Sequence, residues 1–105
     1  MIKFKNNEEV VVILPEKEAL HSLYSQQNYF HRQFGLWGDS NWESTYDTFC
    51  RWNKKIVQVN IVDYAHKTYH VSYEKGQTTY VCHISFPEIC FKRIQECSIE
   101  ELLEI

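Results

Sequence analysis

At about 100–200 residues per domain, a chain of 105 residues predicts a single domain, residues 1–105, long enough to bury a core. With 44% hydrophobic and 24% charged residues, three Gly and two Pro, the composition is that of a globular chain and excludes collagen-like and low-complexity readings, while the 15% aromatic content is high. Fourteen acids against eleven bases give a net charge of −3, which lacks the basic field a nucleic-acid binder needs.

The first elements are extended. Residues 2–5 and 9–14 read as strand, and the β-branched run Val10-Val11-Val12-Ile13 suits a strand buried on both faces or beside a neighbour. The apolar run Val10–Leu14 is the longest near the start. It is too short for a membrane span or a signal-peptide core, and acids flank it, so we expect neither, and we expect a cytoplasmic protein. Pro15, with Glu16 and Glu18 behind it, opens a helix that runs to about Phe34 on the stripe Leu20, Leu23, Tyr24, Gln27, Phe30 and Phe34. Gly35 stops it, and residues 35–39 form a loop that carries Trp37.

Ser40 and Glu43 have the spacing of a capping box, so a second helix starts there. Its predicted inward stripe is Trp42, Tyr46, Phe49, Cys50 and Asn53, with Trp52 off the stripe. Residues 56–63, 68–73 and 78–86 alternate with period two and predict three strands. Val57, Val59, Ile61, Tyr69, Val71, Tyr73, Tyr80, Cys82 and Ile84 face inward. Gln58, Asn60, Thr68, His70, Ser72, Thr79, Val81, His83 and Ser85 face outward. The first hairpin turns around Ala65-His66. The second turns through Glu74-Lys75-Gly76-Gln77, a register that pairs Tyr73 with Thr78, Val71 with Tyr80 and Tyr69 with Cys82, and sets His70 opposite Val81 and diagonal to His83. Pro87 and Glu88 open a third helix through Ile89, Cys90, Arg93, Ile94 and Cys97. Ser98 with Glu101 caps a last short one. The expected fold class is α+β: a three- or four-stranded antiparallel sheet with helices packed mainly on one face.

Candidate chemistry is sparse. Cys50, Cys82, Cys90 and Cys97 have no close pair and fall at inward positions, which predicts free thiols rather than a disulfide framework or a catalytic Cys–His pair. His66 and His70 lack the companions of a metal site, and three glycines cannot build a phosphate loop, so no metal, cofactor or catalytic residue is predicted. The surface carries the remaining signal. Trp37 and Trp52 stand where patterning asks for no core residue, and exposed tryptophans anchor protein interfaces. All of the net charge lies from Glu88 onward, which makes Glu100, Glu101 and Glu104 candidates for steering a basic partner. A second candidate surface is the polar sheet face of Gln58, Asn60, His70 and His83.

The stretch Ser40-Asn41-Trp42-Glu43-Ser44-Thr45-Tyr46, continuing to Trp52, resembles one family of bacterial contact-dependent growth-inhibition immunity proteins: a Ser-x-Trp-acid opening, a Tyr four residues after the Trp, and a further Trp before an aromatic-rich antiparallel sheet. The resemblance covers roughly residues 40–86. It departs from the family in having a shorter polar loop after the helix and an opening helix at 15–34 without a counterpart. It implies an inhibitor that blocks a cognate toxin domain, often a nuclease with a basic cleft, and it assigns no binding residue. The expected function is a small acidic protein-binding inhibitor, such as an immunity protein or a phage inhibitor of host defence, that acts as a monomer or homodimer on a protein partner. The same residues leave open an assembly subunit that uses the polar sheet face or the acidic C-terminus, and a small enzyme with a His70- and His83-lined pocket.

Overall fold

The computed structural model describes residues 1–26, 42–65 and 67–103. They form an α+β fold around one antiparallel sheet. The strands are β1 (Glu8–Val12), β2 (Ile56–Asp63), β3 (Thr68–Lys75), β4 (Thr78–Pro87) and β5 (Phe91–Lys92), in the spatial order β4-β3-β2-β1-β5. The helices are α1 (Lys17–Gln26), α2 (Trp42–Trp52) and α3 (Ile99–Leu103). Leu20 and Tyr24 of α1 and Trp42 and Phe49 of α2 share one buried cluster with Val10, Val12, Val57, Val59, Tyr69, Val71, Ile84 and Phe86 of the sheet.

The sheet has five strands rather than the expected three or four, because the segment after Pro87 is not the expected helix. A single 3-10 turn, Glu88–Cys90, leads into β5, whose Phe91 lies opposite Val12. The Cys90 carbonyl accepts the Ile13 N–H at 2.8 Å. Phe91 is buried edge-on to Phe4 and Tyr69, whereas Ile89 and Ile94, which set the apparent helical period, are exposed. Burial of one large ring outweighs a helical propensity of a few tenths of a kcal/mol per residue.

β1 lies between β2 and β5 and is buried on both sides. Val10 and Val12 face the core, and Val11, opposite Ile56 and Lys92 on the outer side, is also fully buried. Lys92 Nζ binds both carboxylate oxygens of Glu101 (2.9 and 3.1 Å), which places α3 on the outer side of the sheet at its β5 end. The helices therefore cover mainly, but not only, the core face. Residues 2–5 join no strand; Phe4 plugs the core instead, edge-on to Tyr69 at 5.7 Å.

The strand bounds of β2, β3 and β4 follow the period-two pattern closely, but the β3–β4 register differs from the expected one by two residues. Lys75 pairs with Thr78, Tyr73 with Tyr80 and Val71 with Cys82. The loop is two residues long, with Gly76 first at φ +65°, the position where a type II′ turn demands glycine. A shift of two preserves parity, so the inward set stays inward. A bulge then inserts residues in β4 between Cys82 and Phe86, so that Tyr69 pairs with Phe86.

The described part of α1 ends at Gln26. The expected continuation to Phe34, the loop of Trp37 and the Ser40 cap lie outside the described residues. In α2 the buried residues are Trp42, Thr45 and Phe49, and half-buried Trp52 completes this stripe at spacings of three, four and three. Trp52 is thus on the stripe rather than off it. Cys50 is exposed rather than inward, while Cys82 and Cys90 are buried and Cys97 is half-buried; all four are free thiols. Burial pushes the Cys82 and Cys90 thiols up, the opposite direction to that of an activated thiolate.

Candidate partner-binding surface

Of the first set of candidate residues, Trp37 and Glu104 lie outside the described residues. Trp52 meets Tyr73 edge-on at 5.4 Å, on the core side of β3. Glu101 caps α3: its Oε1 accepts the Ser98 N–H at 2.9 Å, and its own N–H donates to Ser98 Oγ at 3.1 Å, the expected capping box. That N–H bond, followed by the Lys92 ammonium, holds its carboxyl below the usual range. Glu100 is exposed. Tyr73 sits on β3 facing the core and Lys92 on β5 facing outward, three strands across, or roughly 14 Å at the usual strand spacing. The structure therefore does not bring Trp52 together with Glu100 and Glu101. On α3 it exposes Ile99 (78%) and Leu103 (80%), four residues apart on one helix face.

The second set comes together better. The registers align Val81, Ser72, Gln58 and Glu9 in one row across β4, β3, β2 and β1, and Asn60 with His70 in the next. These side chains alternate with Val71, Val59, Val57 and Val10, which face the core, so they face outward. Gln58, Asn60 and Val81 are exposed, and Ser72 and His70 are half-buried. His70 faces Asn60 rather than Val81, because the two-residue shift sets Val81 opposite Ser72. His83 belongs to β4 within the bulged stretch, and its side chain lies outside the described residues.

The face is also more acidic than its β2–β4 pattern suggests. Glu9 enters the row beside Gln58, and Glu74, opposite Thr79, points the same way. A depression of about 250 Å³ lies between them, lined by Glu9, Ile56, Gln58 and Glu74 among others. No ion-pair partner of Glu9 or Glu74 occurs among the described residues. Two carboxylates around amide and hydroxyl groups suit a lysine or arginine side chain of a partner. Sequence patterning missed Glu9 and Glu74 because the placement of β1 beside β2 is a long-range contact. Among the described residues no group of three or more His, Cys, Asp or Glu could hold a metal ion. No helix among them is long and apolar enough to cross a membrane. No family model, curated protein or solved structure matches the chain.

Proposed function

We propose that the protein is a small acidic inhibitor that binds a basic protein partner on the outer face of its sheet. The observation that supports this reading is the pair Glu9 and Glu74 flanking Gln58 on a face that α1 and α2 leave uncovered. Rim carboxylates speed encounter with a basic surface, and the amides and hydroxyls between them fix the register of docking. A stable interface takes about 800 Å² from each partner, more than a few strands supply. The exposed Ile99 and Leu103 of α3, on the same side of the sheet, extend the surface with apolar area. The Ser40–Trp52 resemblance favours a toxin domain, a nuclease with a basic cleft, as that partner.

The test is co-expression with the product of the adjacent gene, since inhibitor genes of this kind sit beside their targets. The reading expects a complex in which Glu9→Lys with Glu74→Lys, folded as wild type, slows association about tenfold and flattens its salt dependence. A doubly reversed variant that associates as fast as wild type refutes this face as the docking site.

A further inference from the structure

Among the described residues the sheet ends on one side in β4, whose one neighbour is β3. Thr78, Thr79, Tyr80 and Val81 are all exposed there, Tyr80 at 44% and Val81 at 49%. Residues 76–87 carry no Asp, Glu, Lys or Arg. Soluble proteins usually blunt a long edge strand with charges, prolines or bulges. Here the bulge falls between Cys82 and Phe86 and Pro87 is the last residue of the strand, so 78–82 remains a regular, uncharged edge.

Its main-chain groups are poised for pairing. A two-residue loop closes on the hydrogen-bonded pair Lys75–Thr78, and antiparallel pairs alternate, so Tyr80 and Cys82 bond inward to β3. Thr79 and Val81 then turn their N–H and C=O groups away from the sheet.

We propose that a second copy of the chain completes this edge, with two β4 strands pairing antiparallel about a two-fold axis at Tyr80 to form one continuous sheet. In this register Thr79 of each copy exchanges main-chain bonds with Val81 of the other. The two Tyr80 residues meet as a non-hydrogen-bonded pair, where side chains approach most closely. Tyr80 is already stacked on Tyr73 at 5.0 Å and 18°, and Tyr73 meets Trp52, so the axis joins two rows of rings into one. Charge favours a second copy as the occupant. The edge brings no like charges together, and Glu88, Glu96, Glu100 and Glu101 of each copy lie in or beside β5 and α3, at the opposite edge of the sheet. The other edge, β5, is two residues long, too short to pair onward, so assembly closes at two. This contact is made by the main chain of β4, whereas the outer-face reading rests on the side chains of Glu9, Gln58 and Glu74 on β1–β3, so neither proposal rests on the other.

Sedimentation of the full chain over a wide concentration range tests the proposal, and wild type is expected to dimerise reversibly. Val81→Pro removes an outward N–H and spares the β3 ladder, so it should cost two main-chain bonds per dimer and raise the dissociation constant about 30-fold. Thr79→Lys, which places an ammonium on the edge, should give a folded monomer by the same measurement. The proposal is overturned by a wild-type chain that stays monomeric throughout. It is equally overturned by a dimer that both folded variants leave unchanged, or by a monomer whose β4 edge is filled by a strand of another protein.

Discussion

Removing one buried hydroxyl, in Tyr69→Phe, tests how the N-terminal segment is held to the sheet. Tyr69 is fully buried, and its OH donates to Glu88 Oε2 at 2.5 Å while accepting the Phe4 N–H at 3.3 Å. The same Glu88 oxygen accepts the Lys3 N–H at 2.8 Å. Phenylalanine keeps the edge-on contacts with Phe4 and Phe91 and deletes only the hydroxyl. A hydrogen bond to a charged acceptor contributes about 1.5–3 kcal/mol, and the stranded Phe4 N–H adds its own desolvation cost, so the expected loss is about 2–4 kcal/mol. That is a large share of the roughly 5–15 kcal/mol of a typical domain. Urea unfolding measures it as a lower midpoint at unchanged slope. In a double-mutant cycle with Glu88→Gln the two losses should be less than additive, since both remove the same charged bond. A Tyr69→Phe chain within about 0.5 kcal/mol of wild type, below the usual range for such a bond, refutes the clamp.

The same hydroxyl predicts an alkaline weakness. Burial, and then the bond to Glu88, push the Tyr69 phenol up to about 12, and burial alone pushes Tyr24 up to about 12. In the unfolded chain a tyrosine titrates near 10, so the unfolded state loses its proton first as pH rises. The contribution of both groups is complete below about pH 10 and is lost as pH climbs from there towards 12. Tyr69→Phe and Tyr24→Phe should each flatten that decline, and a variant that declines as steeply as wild type contradicts the assignment.

Two further substitutions probe the strands. Thr68 is fully buried and its Oγ1 has no hydrogen-bond partner among the described residues, so Thr68→Val should raise stability by about 1 kcal/mol, read as a Tm increase of roughly 4–8 °C. Gly76→Ala should lower stability by about 1 kcal/mol through backbone strain alone, since a Cβ there meets no atom within 4 Å; an unchanged Tm means that the loop does not need a left-handed residue at that position.

The parts of the fold legible in the sequence are those that local periodicity encodes. β2, β3 and β4 lie where alternation places them, and the Ser98–Glu101 cap forms as its spacing implies. The β3–β4 register slipped because Gly76 suits either a four-residue or a two-residue turn, and parity alone does not separate registers two apart. The α2 stripe was misread for a similar reason. Trp42 and Phe49 anchor two possible stripes, one through Tyr46 and Cys50 and one through Thr45 and Trp52, and polarity favours the first. Packing brings in Thr45 and Trp52, because Trp52 finds Tyr73 beneath it, and keeps Tyr46 half-buried against Trp42 while Cys50 is left exposed. β5 was not legible. Its signal is one residue, Phe91, and its partner Val12 lies at the other end of the chain.

The charge pattern shows why the candidate site was harder to read than the fold. A count of carboxylates weights each equally, and that count points to the segment from Glu88 onward. Three of its acids are engaged within the molecule. Glu88 holds Tyr69 and the Lys3 N–H, Glu96 accepts the Arg93 N–H and pairs with Lys3, and Glu101 caps α3 and pairs with Lys92. An acid that satisfies its own chain's donors has less to offer a partner, because releasing it would leave those donors unpaired. Glu9 and Glu74 sit in segments whose charges balance and so leave no mark on a running charge count. They meet on one face only because β1, drawn in by the burial of Val10, Val11 and Val12, pairs with β2. The surface most suited to a basic partner is thus a consequence of where an apolar strand inserts. Its position had to come from packing rather than from the distribution of charge along the chain.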